Sequence, residues 1–567
     1  MKNRFLAVTI TLVSGSVLLN SCKDSFLEQR PQGVYDVGQL SNAKGVNGLL
    51  ISAYAALDGN DNTWYAGASN WVWGSVAGGD AYKGSEQSDQ VDVNPIMIYQ
   101  FSANNPIILN KWNGIWDGVG QANQVLKVLP NVTDMSDADK TRIQAEARFL
   151  RGFHHFEGKK MFNNIPYVDE TTTNFRVPNT DASGAYVNVW PQIEADLQFA
   201  YDNLPATMPN KGRVNKWAAG AFLAKAYMFQ NKFTEAKALF DAIIGPNPAE
   251  AIGTNAQGQK YKLAANIHEN FRVTSEMNPE VIFSIQASYG DGATRNGNYD
   301  NALNYPHSST TPGAGCCGFF QPTQNLVNSY KTNAQGLPEP ATYNNTDVTN
   351  DANLVSSDPF TPYQGNLDPR LDHTVGRRGI PYLDWGVHPG RNWIRKIDFG
   401  GPYSPKKHVF YKSDIGATAG SAGWGWNNNA LNYPAMRYAD LLLMAAEAEI
   451  EVGSMEKARE YINLVRARAA NSEIAGADAN YVIGQYTAPF GSKDEARTAV
   501  RFERKLELAM EGHRFFDLVR WGIAAQELNT NYLQKEIPRL PNPLTGANFT
   551  ANRNEYYPIP EFAIIQS

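Results

Sequence analysis

Residues 215–230 read NKWAAGAFLAKAYMFQ, and residues 234–244 read TEAKALFDAII. Small side chains at Ala219, Gly220 and Ala226, then Tyr227, then Ala236 and Phe240, approximate the tetratricopeptide pattern. Small residues at those positions let two antiparallel helices approach closely. A second pair recurs over Tyr438 to Val452 and Met455 to Ala469, parted by Gly453-Ser454. Such helix pairs bury their apolar faces only by stacking on neighbours. The pairs are degenerate and far apart in sequence, so an irregular helical bundle is expected and not a regular solenoid.

Further helices are predicted on both sides. Val46, Leu49, Leu50, Tyr54 and Leu57 follow helical spacing within Ser41 to Leu57, and Ile107 to Leu129 behaves alike. Asp137 to Phe162 is a long amphipathic stretch stopped by Asn163-Asn164-Ile165-Pro166, and Val187 to Leu204 stops at Pro205. Between about Gly245 and Pro434 the pattern changes to Gly, Pro, Asn and Tyr, with short strand-like pieces such as Val281 to Ile285. A loop-rich region of that length is functional or disordered, and its aromatics argue against disorder. A smaller irregular region, Asn60 to Phe101, interrupts the first helices. The expected class is mainly α: a tetratricopeptide-like helical scaffold with long loop-rich insertions and a few short strands.

Composition narrows the function. The 567 residues carry a net charge of −6 without a basic cluster, which argues against nucleic acid as a partner. Only three Cys occur, so packing and not a disulfide framework must hold the fold. There is no Walker A loop and no HExxH, and the His residues are scattered; His154-His155 lies in a predicted helix and reads as packing. No metal site and no cofactor are expected.

The chain opens Met1-Lys2-Asn3-Arg4, runs through an apolar stretch from Phe5 to Leu19, and reaches Leu19-Asn20-Ser21-Cys22. A cationic start, a short apolar run and a small residue before the cut describe a secretory signal peptide. Leu and then a small residue directly before Cys resemble the bacterial lipobox, in which Cys becomes the lipidated first mature residue. An ordinary signal peptide with a chance Cys is the other reading. No later segment is long and apolar enough to span a bilayer.

Near the C-terminus stands FERKLELAMEGHRFFDLVRWG, Phe502 to Gly522. Upstream lies RYADLLLMAAEAEIEVGSMEKAREYINLVRARA, Arg437 to Ala469; YYPIPEFAII, Tyr556 to Ile565, follows. With QAEARFLRGFHHFEGKKMFNNIPYV, Gln144 to Val168, these blocks resemble, in order, the SusD/RagB family of Bacteroidetes outer-membrane lipoproteins. Lys23-Asp24 after Cys22 resembles the family's surface-export signal. The resemblance implies residues 1–21 as lipoprotein signal peptide and residues 22–567 as one SusD-like domain. The helical scaffold would span about 41–244 and 435–525, with ligand-binding insertions at about 58–101 and 245–434. It further implies a non-catalytic receptor, lipid-anchored through Cys22 in the outer membrane and facing outward. Such a receptor captures glycan, or peptide in the RagB branch, and passes it to a SusC-like TonB-dependent transporter. A surface glycosidase is the alternative from another class, with Glu503 or Glu507 as acid and base. Each of those Glu residues has an Arg or Lys three or four positions away, so helix-stabilising ion pairs are the expected role.

A sugar presents C–H patches on its ring faces and hydroxyls at its rim, which calls for aromatic platforms beside Asp, Asn and Arg. Three places combine them. The first holds Asp58, Asn60, Trp64, Trp71, Trp73, Asp80 and Tyr82; each Trp reads equally as core, and Asp80 after Gly78-Gly79 is expected to be presented by flexible backbone. The segment from Asp58 to Asn62 lacks the Gly and closing Glu of an EF-hand. The second is the adjacent pair Cys316-Cys317 within PGAGCCGFF, read as a vicinal disulfide offering a flat apolar surface, with free thiols as the alternative. The third holds Trp385, His388, Arg391, Trp393 and Tyr411, where Arg391-Asn392-Trp393 reads as a sugar grip or a surface cation–π contact. Trp424-Gly425-Trp426 is a reserve candidate.

Overall fold

A computed structural model describes residues 37–59, 64–174, 176–291, 298–308, 316–420 and 428–566. The 1–21 leader, Cys22, Lys23-Asp24, Asn60 and Trp424-Gly425-Trp426 lie outside the described residues. The N-terminal helices are α1 (Ala43–Ala55), α2 (Pro106–Val128), α3 (Asp137–Phe162), α4 (Trp190–Asn203), α5 (Lys216–Met228) and α6 (Phe233–Ile244). The C-terminal set is α7 (Tyr438–Val452), α8 (Met455–Ala470), α9 (Lys493–Glu507) and α10 (Arg514–Arg520).

Their ends follow local chemistry. Asn42, Asn105, Ser136, Asn215, Ser454 and Ser492 each accept a hydrogen bond from a first-turn N–H of the helix they precede. Helix α3 also carries Asp137 and Asp139 in its first turn and Lys159 and Lys160 in its last, matching the helix dipole at both ends. Helix α6 stops at Gly245, whose φ of 73° suits a residue without Cβ.

Successive helices pack side by side from α2 to α6, and α7 lies against α6, α8 and α9. The two tetratricopeptide-like pairs, remote in sequence, therefore stack on each other. Small residues set the close approaches. A Cβ on Gly118 of α2 would come within 2.2 Å of the His154 ring on α3, and one on Gly220 within 2.7 Å of Tyr201 on α4. His154-His155 is accordingly interhelical packing; burial lowers His155 to about 4.

The strands are short: β1 (Ala81–Gly84), β2 (Val281–Ile285), β3 (Phe319–Pro322) and β4 (Tyr433–Arg437). β1 pairs antiparallel with β3, setting Tyr82 opposite Gln321, and β2 pairs antiparallel with β4, setting Val281 opposite Arg437. One hydrophobic cluster draws on both helical sets; a smaller one, with Tyr305, Tyr382, Trp393, Val409, Phe410 and Ala419, lies within the loop-rich region.

The C-terminal motif departs from its expected form. α9 ends at Glu507, the chain turns through Met510 and Gly512 with φ of 64° and 74°, and α10 starts at Arg514. The acidic residues are buried and pair across the fold, not along a helix surface. Glu503 meets Arg370 at 2.7 Å and Arg466 at 2.8 Å. Glu507 meets Arg370 at 3.1 Å, Arg437 at 3.0 Å, and Arg468. Glu511 meets Lys407 and Arg437, each at 2.7 Å. Glu280 pairs with Arg437 and Arg468, and Asp368 with Arg370. Burial alone would raise the Glu511 carboxyl, but Arg437 and Lys407 outweigh it and hold it down to about 2.

Two predictions follow from this interior. Glu507→Ala leaves three guanidinium groups short of a counter-ion and should cost about 3–5 kcal/mol in urea unfolding, as broken buried pairs do; a loss below 1 kcal/mol (about the value of a surface pair) would show the network to be dispensable. Burial also holds His155, His373 and His408 down to about 4, below the roughly 6.5 of an unfolded chain. The unfolded chain thus takes up protons first as pH falls, so this stability is complete above about 6.5 and shrinks toward 4. Glu511, depressed to about 2, adds a second loss only below about 4.5. Asp80 and Asp300, raised to about 6, and Glu276, raised to about 7, take up protons first in the folded chain and offset part of this loss. His154, His388 and His513 are held down as well, so the histidines outweigh them and the thermal midpoint should drop between pH 7 and pH 5; a flat midpoint over that range would contradict the assignment.

Candidate functional site

Three stretches chosen from sequence meet around one turn. Gly318 follows the Cys pair, and a Cβ there would lie 3.2 Å from the Cβ atoms of both His307 and Arg395 and 3.8 Å from the Cα of Ser85. Ser85 N–H donates to the Gly318 carbonyl at 2.5 Å, Gly318 N–H to Tyr305 at 2.8 Å, and His307 N–H to the Trp393 carbonyl at 3.0 Å. The segment after β1, the cysteine turn and the 391–395 segment thereby form one loop cluster.

Its exposed elements are few and distinct. The Cys316 and Cys317 sulfurs are joined in a disulfide, with Cys316 half-buried and Cys317 buried. Arg395 reaches Ser85 at 2.8 Å, Asp89 at 2.6 Å and Glu86 at 2.7 Å, so both carboxylates are anchored at the rim. Arg391 and Asn392 are exposed. From Phe320, ring contacts run through Trp71 at 5.5 Å and Tyr65 at 5.9 Å to the half-exposed Trp64.

Several predicted contacts prove to be supports behind this face. Trp71 donates its indole N–H to the Trp64 carbonyl at 2.8 Å, and Trp73 donates to Tyr65 at 2.7 Å; both are buried. A six-residue π-helical turn, Trp71–Val76, carries them inward, which alternation counted from sequence could not anticipate. Asp80 is not presented to solvent: it is 1% exposed, accepts a bond from Met510 N–H, and burial pushes its carboxyl up to about 6. Tyr82 is buried with its hydroxyl on Glu536. Trp393 is buried against Tyr382 and His388 at 5.4 and 5.1 Å, so Arg391 and Trp393 do not form a joint grip.

The remaining candidates make contacts of their own. Asp58 is half-buried at the end of the turn following α1. Trp385, half-buried, donates to the Phe410 carbonyl at 3.1 Å and packs on the Phe410 ring. Tyr411 is half-buried with the Arg272 guanidinium 4.1 Å over its ring, and burial raises its hydroxyl to about 12. His307, Arg395, Glu86 and Asp89 were not singled out from sequence; Arg395 stands two positions past a Trp, the one local hint. Among the described residues no group of three His, Cys, Asp or Glu could hold a metal, and no helix is long and apolar enough to cross a membrane. Chemically, the cluster offers an apolar disulfide and a rim where Arg395 fixes two carboxylates, with the half-buried Trp64 indole linked to it through ring contacts.

Known proteins resemble this chain in sequence and in fold. The SusD family profile matches residues 279–566, and a profile described as starch-binding associating with outer membrane matches residues 26–228. The chain is 25% identical over 471 residues to SusD-like protein P2 of Formosa agariphila, covering 80% of this chain and 78% of the relative. It is 22% identical over 420 residues to the starch-binding protein SusD of Bacteroides thetaiotaomicron, covering 70% and 67%. Its fold is similar to that of surface glycan-binding protein A from Bacteroides thetaiotaomicron, solved in complex with laminarihexaose: TM-score 0.65, 20% identity, 92% of this chain and 97% of that one. With the family profile spanning half of its length, alongside a matching helical scaffold, the chain belongs to the SusD family.

Proposed function

We propose that this chain is a cell-surface receptor that captures oligo- or polysaccharide on the loop cluster and delivers it, unhydrolysed, to a SusC-like TonB-dependent transporter. In this reading residues 22–567 act as one domain, tethered to the outer membrane and facing outward through a triacylated Cys22. The observation that carries it is the convergence of Ser85, the Cys316–Cys317 turn and Arg395 around Gly318, with Trp64 joined to that turn through the rings of Tyr65, Trp71 and Phe320. An apolar surface beside fixed polar groups matches the two-sided chemistry of a sugar ring. The laminarihexaose complex of a protein with a similar fold and the starch-binding description of the N-terminal profile support the ligand class.

The acidic residues offered to a glycosidase reading are otherwise engaged. Glu503 and Glu507 lie in the interior, each against more than one guanidinium group. A hydrolase needs one carboxyl raised near its working pH beside an ionised one, both reaching substrate.

Affinity electrophoresis of residues 22–567 through gels containing starch, laminarin, xylan or pectin tests the reading. Retardation by at least one glycan without release of reducing sugar is expected; retardation by none, with binding of peptides instead, would overturn it. Trp64→Ala combined with Arg391→Ala should weaken the retarding interaction about tenfold, equivalent to ~1.4 kcal/mol, with an unchanged thermal midpoint. Trp73→Ala should instead destabilise the fold by about 3–5 kcal/mol. A Cys22→Ala variant should bind glycan in solution yet fail to support growth on it, since a single apolar contact does not hold a protein at a membrane and the acyl chains supply the anchor. Undiminished growth would contradict the tether.

A further inference from the structure

A groove of about 630 Å³ opens along α2, and it shares no residue with the loop cluster. Its floor is a pair of indoles, Trp112 and Trp116, one helical turn apart on the same face of α2, with ring centroids 5.3 Å from each other. Both are half-buried. Trp112 is braced edge-on by Phe162 at 5.1 Å, and Trp116 by His155 at 5.7 Å, so the platform is rigid. The volume falls in the range of small-ligand sites, about 300–1,000 Å³.

The rim carries both donors and acceptors. Among the described residues the buried Trp116 indole N–H has no acceptor. Lys127 and Arg176 are exposed on the lining, and no hydrogen bond or ion pair to a described residue engages either side-chain cation. On the other side, Asp169 is held by the Thr171 and Thr172 hydroxyls at 2.7 and 3.3 Å, and Glu170 is paired with Arg151. Arg151 is itself fixed by Asp196 at 2.7 Å, so the Glu170 carboxylate is oriented from behind.

An apolar side chain seated here would leave the Trp116 N–H and both cations without partners, which costs free energy when water is expelled. A hydroxyl donates and accepts at once, so a sugar can take hydrogen bonds from Trp116, Lys127 or Arg176 while giving them to Asp169 and Glu170. The opposite charges on the lining favour a neutral saccharide over a charged one. From this combination we infer that the groove is a second carbohydrate site, taking a short neutral oligosaccharide segment stacked on Trp112 and Trp116.

The test uses residues 22–567 labelled with 5-fluorotryptophan, titrated with laminarihexaose, maltohexaose and cellohexaose and followed by fluorine NMR. Trp64→Phe, Trp112→Phe and Trp116→Phe variants assign the signals. Saturable shifts of the Trp112 and Trp116 signals with at least one hexasaccharide are expected. The exposed pair Lys127→Gln, Arg176→Gln should weaken that response at least about fivefold, equal to ~1 kcal/mol, and leave the Trp64 response unchanged. Movement of Trp64 alone would overturn this site and leave the loop cluster standing; movement of Trp112 and Trp116 alone would do the reverse. Silence of both indoles up to about 10 mM, beyond the range of a weak site, would overturn the groove as a carbohydrate site. So would a response to tetra-alanine but to no sugar, or a response unaffected by the Lys127 and Arg176 changes.

Discussion

Glu507 closes the last turn of α9 where water does not reach it, among the guanidinium groups of Arg370, Arg437 and Arg468. An ion moved into a protein interior loses several kcal/mol of hydration, regained only when partners approach in good geometry from several sides. That requirement constrains the chain far beyond one helix. The partners come from the end of β4, from α8 and from the 368–370 turn, while Glu280 at the edge of β2 shares two of them. Five carboxylates (Glu280, Asp368, Glu503, Glu507, Glu511) face five cations (Arg370, Lys407, Arg437, Arg466, Arg468), so the cluster is neutral as a whole. The loop-rich region cannot leave the helical scaffold without stranding charge.

The same motif positions the loop cluster. Past Glu507 the chain turns at Met510 and Gly512, and that turn is the seat of the aromatic segment. The Met510 N–H binds Asp80, the Gly512 N–H binds Ser75, and the Tyr433 hydroxyl donates to the carbonyls of Ser69 and Glu511. A Cβ on Gly74 would meet the Gly512 carbonyl at 1.8 Å, so two backbones touch where no side chain fits. Trp71 and Trp73 are thus carried by the C-terminal motif, and Phe319 and Phe320 beside the cysteine turn pack on Trp71.

The helical scaffold was legible because its signals are local. Asp137 to Phe162 carries its own cap in Ser136 and a breaker cluster after it, Tyr438 to Val452 carries its apolar spacing and stops at Gly453, and the helices occur where those signals place them. The ion pairs of Glu503 and Glu507 differ from the expected ones because charges three and four positions apart fit a surface helix equally well; only the long-range approach of Arg370 and Arg437 decides between the two. At the loop cluster, sequence located the neighbourhoods but not the side-chain directions. Trp71 and Trp73 face inward on a π-helical turn, whereas Trp64, seven residues earlier, remains half-exposed. The groove on α2 is not legible in sequence because Trp112 and Trp116 follow helical spacing, which reads as core; only the folded arrangement of the described residues leaves both indoles on its lining.

Asp80 and Asp300 show why a shifted carboxyl here need not mean chemistry. Burial raises both to about 6, outweighing the pull of Arg514, Lys505 and Lys407 on Asp80 and of Lys111 on Asp300. Each takes up backbone donors instead: Asp300 holds the N–H groups of Gly67 and Ser69, and Asp80 holds that of Met510. Between them they clamp the two ends of the segment that carries Trp71 and Trp73, while Lys111 ties the Ala66 and Gly67 carbonyls from α2. A general acid must reach its substrate, but Asp80 and Asp300 are 1% and 5% exposed. Their raised pKa therefore reflects how completely burial keeps water from the interior side of the segment that carries Trp71 and Trp73, where neither carboxyl can reach a substrate.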